Sequence, residues 1–227
     1  MAHTISLPDW AIARGRVHND FARIDPASTA LVAIDMQRVF MDPGEVFGNP
    51  YARAVTANVN RAAAAVRGAG GRVIWTRQTT SDDPRWAMPA WQYDMTDETV
   101  RRAVAAMQPG APGQAIHPAL DVARGDLVLD KYRYSAFMCP ARALETALAG
   151  TGVDTLVIAG TLTNCCCEST ARDANMMGYR VVFLADATAA VTDEEHNAAL
   201  LNLRIMFADV RRTDELDGML ARGSEPR

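Results

Sequence analysis

Five short apolar runs, separated by amphipathic stretches, constrain this chain more than any other feature. They lie at residues 30–35 (ALVAID), 72–76 (RVIWT), 126–130 (DLVLD), 154–159 (DTLVIA) and 180–185 (RVVFLA). Each is rich in Val, Ile and Leu and lacks strict alternation, which is how strands buried on both faces read. Helical spacing appears between them at residues 51–69, 140–148, 164–177 and 194–207, with Gly70-Gly71, Gly150 and Gly178 as stops. Strand and helix alternating in this way predict an α/β fold: three layers, α/β/α, around a mostly parallel central sheet. Ligands of such sheets sit beyond the carboxyl ends of the strands.

The 227 residues suit one large domain. Residues 1–28 are polar and irregular and read as an N-terminal arm or partner-binding tail, leaving residues 29–227 as the domain itself. The net charge of −4 offers no basic stripe for nucleic acid. The nearest basic cluster, Arg204, Arg211 and Arg212, is offset by Asp209, Asp214 and Glu215 and reads as solvated surface. No run approaches the roughly eighteen apolar residues a membrane span needs, and the N-terminus lacks a signal-peptide pattern. A cytoplasmic location, no membrane partner and a homo-oligomer, dimer or tetramer, are the expectations. Three of the four cysteines are consecutive (Cys165, Cys166, Cys167) and cannot easily pair with one another, so the thiols are expected free.

The strand-end rule selects an aspartate, Asp35, at the end of the first run, Lys131 after the third, and the cysteines following the fourth. Singly, each has a plainer reading: a loop cap, a surface lysine, a small core residue. Aimed at one rim, they make a nucleophilic site. The thiols fall where a turn enters a helix, with Thr163 or Asn164 as N-cap. The helix N-terminus and the lysine both favour thiolate there, and free N–H groups are available to an oxyanion.

Residues 30–40 (ALVAIDMQRVF), 130–137 (DKYRYSAF) and 157–179 (VIAGTLTNCCCESTARDANMMGY) resemble the isochorismatase-like cysteine hydrolases. The likeness runs from about Thr29 to Leu216. It comprises a strand ending in Asp and followed by Met-Gln, a Lys at a later strand end, and Gly-x-x-Thr-x-x-Cys opening a helix. The resemblance implies Cys166 as nucleophile, with Asp35 and Lys131 completing a triad, and Cys165 and Cys167 as core packing. It also implies a cis peptide bond between Thr161 and Leu162, turning the Leu162 and Cys166 amides toward an oxyanion. Where metal-dependent relatives carry Asp-x-His, this chain has Gln78-Thr79-Thr80, and His3, His18, His117 and His196 show no ligand spacing; no metal and no cofactor are expected.

Within the family the chain looks most like ureidoacrylate amidohydrolases, which implies cleavage of a C–N bond in a small ureido, carbamoyl or amide compound through a thioester. Gln78, Phe40, Tyr134 and Trp91 are the candidate substrate-binding residues. Trp91 lies in an aromatic stretch, residues 85–95 (RWAMPAWQYDM), that reads equally as a lid or pocket wall and as a loop packed on the core or on a second subunit. Two alternatives stay open: an isochorismatase-type vinyl-ether hydrolase, against which the cysteine speaks, and a thiol redox or metal sensor on the same fold. Consecutive helical cysteines point about 100° apart and cannot all face one ion.

Overall fold

A computed structural model describes residues 2–221. Six strands, β1 (Thr29–Ile34), β2 (Arg72–Gln78), β3 (Leu127–Lys131), β4 (Thr155–Thr161), β5 (Arg180–Ala189) and β6 (Asp209–Arg211), form one sheet in the order β3-β2-β1-β4-β5-β6. Every pairing is parallel. The helices, in chain order, are α1 (Asp9–Gly15), α2 (Arg38–Met41), α3 (Pro50–Ala54), α4 (Thr56–Ala69), α5 (Glu98–Ala106), α6 (Ala143–Leu148), α7 (Glu168–Met176), α8 (Asp193–Asn202) and α9 (Thr213–Leu220).

The lack of alternation in the apolar runs has a direct cause. Leu31 and Ala33 of β1, with Val157 and Ala159 of β4, face α4 and α9 through Val59, Ala62, Val66 and Leu216. The intervening Ala30, Val32, Leu156 and Ile158 face α6, α7 and α8 through Leu144, Ala171, Ala174 and Leu200. A strand covered on both sides keeps apolar residues at every position. The three layers are as the sequence predicts. β3 differs: it is an edge strand, and its Leu127 and Val128 face solvent.

Several boundaries shift. The stretch 51–69 is broken at Val55, because Asn49 caps a separate short helix, α3, while its Nδ2 donates to Ala190 O (2.7 Å). The third helical stretch opens as a π-helical turn, Thr163–Cys167, before α7, and the fourth closes as another, Leu203–Phe207. Three-residue β6 and the short helices escape a periodicity reading because they hold too few residues to show one. Residues 1–28 carry α1, whose Ala11 and Gly15 are buried. A Cβ on Gly15 would stand 2.1 Å from Arg204 O, so glycine is required for that contact.

The basic cluster also needs correction. Arg204 is buried, with Nη1 donating to Asp209 Oδ1 (2.7 Å) and Asn19 O (2.9 Å), while Phe21 N donates to Asp209 Oδ2 (2.8 Å). The N-terminal segment covers charges that would otherwise be solvated.

From β1 the chain builds β2 and β3 to one side, then returns to build β4, β5 and β6 to the other. The carboxyl ends of β1 and β4 therefore flank a topological switch point, where a crevice opens. Gly160 lets the two strands close there. It has φ +118°, and a Cβ would stand 2.0 Å from Ile34 O.

Candidate active site

Asp35 follows β1 directly and takes φ 52°, a left-handed conformation that costs a non-glycine residue on the order of 1–3 kcal/mol. Its neighbours hold it there. Asp35 N donates to Thr76 O (3.1 Å), Gln37 N donates to Asp35 O (2.7 Å), and Thr76 Oγ1 donates to Asp35 Oδ1 (2.8 Å). The carboxylate is fully buried and its Oδ2 stands 2.7 Å from Lys131 Nζ.

Lys131 ends β3, two strands away, and its ammonium gathers the site. Nζ donates to Gln78 Oε1 (2.6 Å) and Arg133 O (3.0 Å) and lies 3.4 Å from Cys166 Sγ. Burial pulls the ammonium down, but Asp35 and Cys166 outweigh it and hold its pKa above the ordinary lysine value. Asp35, Lys131 and Cys166, chosen from strand ends, thus meet in one buried cluster.

The thiols behave differently from the sequence expectation. Hydrogen bonding with Cys165 and burial together hold the Cys166 thiol well above its ordinary pKa, against the pull of Lys131. Cys166 therefore rests as a thiol, because its hydrogen bond with Cys165 and the desolvation of a sulfur anion outweigh one ammonium already paired with Asp35. Cys165 goes the other way, lowered by its hydrogen bond to Cys166 and by Lys131. It packs against the edge of the core but is only half-buried and also lines the cavity, whereas Cys167 is wholly buried in the core. All four cysteines are free.

The turn carrying Cys166 is anchored from behind. Neither Thr163 nor Asn164 caps it; Leu162 occupies the cap position, and Thr163 Oγ1 instead pairs with His196 Nδ1 (2.8 Å). Cys165 N and Cys167 N both donate to Leu162 O (3.1 Å each), which closes the turn. The Thr161–Leu162 peptide bond is cis. Thr170 Oγ1 donates to Cys166 O (2.7 Å) and accepts from Ala136 N (3.1 Å), tying the turn to the segment after Lys131.

A cavity of about 520 Å³ opens over Cys166 and Leu162. Phe40, Gln78 and Tyr134 line it as expected; Trp91 does not. Trp91 is 82% exposed, and the loop instead sends Tyr93 to the wall, while Gln92 Nε2 donates to Tyr134 OH (2.9 Å). Composition marks the stretch as aromatic, but only the turn geometry decides which ring points inward. Sequence reading also missed Thr76 and Thr170, whose single hydroxyls carry no pattern. Gln37 was visible in the Asp-Met-Gln motif but without a role. Its Oε1 accepts from Gln78 N (2.7 Å) and its Nε2 donates to Gln78 O (3.0 Å), fixing the backbone of Gln78. Thr79 and Thr80 spend their hydroxyls on Arg77 O and Val104 O.

Residues 29–215 match the model of the isochorismatase domain. The chain belongs to the isochorismatase family. Among curated members of the family, a ureidoacrylate amidohydrolase of Methylobacterium radiotolerans is 35% identical over 200 residues, covering 81% of this chain and 76% of that protein. Another, from Pseudomonas syringae pv. syringae, is 32% identical and covers 93% of this chain and 91% of its own length. Among solved structures, a cysteine hydrolase from Pseudomonas syringae pv. phaseolicola superposes with a TM-score of 0.77 at 26% identity, covering 89% of this chain and 98% of that one. An N-carbamoylsarcosine amidase from Thermoplasma acidophilum reaches 0.66 at 25% identity, over 82% and 97% of the two chains.

Proposed function

We propose that this isochorismatase-family hydrolase cleaves a carbon–nitrogen bond of a small ureido, carbamoyl or amide compound, with Cys166 as nucleophile and a thioester intermediate. The carrying observation is the buried cluster in which Lys131 Nζ lies 2.7 Å from Asp35 Oδ2 and 3.4 Å from Cys166 Sγ at the floor of the cavity. The names of its relatives, ureidoacrylate amidohydrolase and N-carbamoylsarcosine amidase, support the substrate class.

Because Cys166 rests as a thiol, a base must take its proton as it attacks, and Asp35 is the carboxylate of the cluster. As the Sγ–carbon bond forms, the carbonyl oxygen gains negative charge, which the amides of Leu162 and Cys166 are proposed to receive. The C–N bond then breaks, and Asp35 passes its proton to the departing nitrogen. Water, deprotonated by Asp35, attacks the thioester; the sulfur leaves and recovers that proton. Lys131 stays protonated throughout and steadies each anionic stage. A cytoplasmic location and a homo-oligomer belong to the same reading; no helix among the described residues is long and apolar enough to cross a membrane.

The test is ammonia release from a panel of ureido, carbamoyl and simple amide compounds, with a rapid acid quench and peptide mass analysis. Cys166→Ala and Cys166→Ser should lose turnover, Cys165→Ala should keep most of it, and the acyl group should be found on Cys166. Simple alkylation is the wrong probe, since exposure and acidity both favour Cys165. An acyl group on Cys165, or turnover surviving without Cys166, would overturn the assignment.

A further inference from the structure

Among the described residues, those that line the cavity carry no charge. Apolar and aromatic side chains dominate it, with Phe40, Phe47, Tyr93, Met107 and Val191 on its sides and Leu162 beside the nucleophile. Among the residues that line it there is no Arg, Lys, His, Asp or Glu. The cation beneath, Lys131, is committed to Asp35, Gln78 and the Arg133 carbonyl, and its charge is balanced by the Asp35 carboxylate. Asn49, a polar wall residue, is also spent: Oδ1 accepts from Tyr51 N (2.9 Å) and Nδ2 donates to Ala190 O (2.7 Å).

Among the described residues that line the cavity, one buried side-chain polar atom has no partner. Gln78 is buried, Lys131 takes its Oε1, and its Nε2 has no partner. Since Lys131 is an obligate donor, the amide orientation is set: the oxygen faces the lysine, and the NH2 stays unpaired on a residue that lines the cavity. An unpaired buried donor calls for an acceptor from the ligand. The phenols of the wall stay neutral, with Tyr93 pushed up to about 12 by burial.

We propose that the site selects uncharged substrates, a ureido or amide group bearing an aromatic or branched aliphatic substituent, with a carbonyl oxygen taken by Gln78 Nε2, and that it discriminates against carboxylated ones. The inference rests on the amidohydrolase reading for its chemistry but on the wall composition for its selectivity. A carboxylate entering these walls loses its water and meets no counter-ion, whereas an apolar group gains by leaving water. A cavity of about 520 Å³ also has room beyond a short ureido acid, within the roughly 300–1,000 Å³ usual for small-molecule sites.

Matched pairs test this: β-ureidopropionate against its methyl ester, and a phenylalkyl urea against its ring-carboxylated counterpart. Turnover is read as ammonia release, and binding is read separately by calorimetry on Cys166→Ala. The uncharged member of each pair should bind at least about tenfold tighter and show the higher kcat/KM, the phenylalkyl urea most of all. Val191 lines the rim and is 55% exposed, so Val191→Arg should fold and should narrow the gap at least severalfold by supplying the missing cation. Equal or tighter binding of the carboxylated members overturns the selectivity, whatever the turnover. So does an unchanged gap in folded Val191→Arg. Preferential binding of the uncharged members without turnover by the wild-type chain overturns the hydrolase reading instead and leaves the selectivity standing.

Discussion

At the scale of single residues, the proposed mechanism divides labour between two charges that lie 2.7 Å apart. Lys131 keeps its proton because Asp35 and Cys166 surround it, and in the proposed cycle Asp35 moves the protons. Asp35→Asn keeps the shape and removes the base, so it should cripple acylation and deacylation alike. Lys131→Met keeps the stem but leaves Asp35 buried beside an emerging thiolate with no cation. General acid–base groups and closed-site charge stabilisation each contribute roughly 10²–10⁴-fold, so each variant should lose at least about a hundredfold in turnover. Residues acting as a unit are not additive, and the double variant should be little worse than the worse single. Turnover of all three, with circular dichroism to confirm folding, decides it; near-normal rates in either folded single variant would mean the triad is wrongly drawn.

At the scale of elements, the turn that carries Cys166 leans on α8 through a contact that spacing does not reveal. His196, fully buried, pairs with Thr163 and stacks on His3 with ring centroids 4.2 Å apart, while His3 Nδ1 meets Asp193 at 2.7 Å. Burial, with His3 adding to it, drives the His196 pKa down from 6.5 to about 4. The unfolded chain therefore binds this proton first. The stability held by neutral His196 is complete above about pH 6.5 and drains as pH falls toward about 4. At roughly 1.4 kcal/mol per unit, the loss is of order 3 kcal/mol at most. Urea midpoints at neutral pH and near pH 4.5 should fall further in the wild type than in His196→Leu. Parallel declines would show that His196 does not titrate in this way. Four scattered histidines in the sequence carry no hint that two of them stack; residues 3 and 196 meet only once the N-terminal segment lies across α8.

At the scale of the whole molecule, that same segment closes the fold at its far edge. It supplies Asn19 O to Arg204 and Phe21 N to Asp209, places Ala11 and Gly15 against the turn after α8, and continues into β1. Removing residues 2–21 should strip a buried ion pair of two hydrogen bonds and expose packed apolar surface. The expected destabilisation is at least about 2 kcal/mol, read by chemical denaturation. An unchanged midpoint would show that residues 1–28 are a separable arm.

Legibility followed the range of the interaction. Apolar runs covered on both faces and helix stops at glycine are local consequences of backbone geometry, and the family motif from Gly160 to Cys166 is a local string of residues, so the α/β sheet, the family and the strand ends that converge on one rim were readable from the chain alone. Long-range packing decided the rest. It turned Tyr93 rather than Trp91 to the cavity, brought Cys165 to the wall, buried Arg204 with Asp209 and left the buried NH2 of Gln78 without a partner. It also made Cys166 a resting thiol. A pKa is set by everything within a few ångströms, and the groups around that sulfur come from β1, β3 and the turn after β4, which periodicity places on a common rim but not at a common distance.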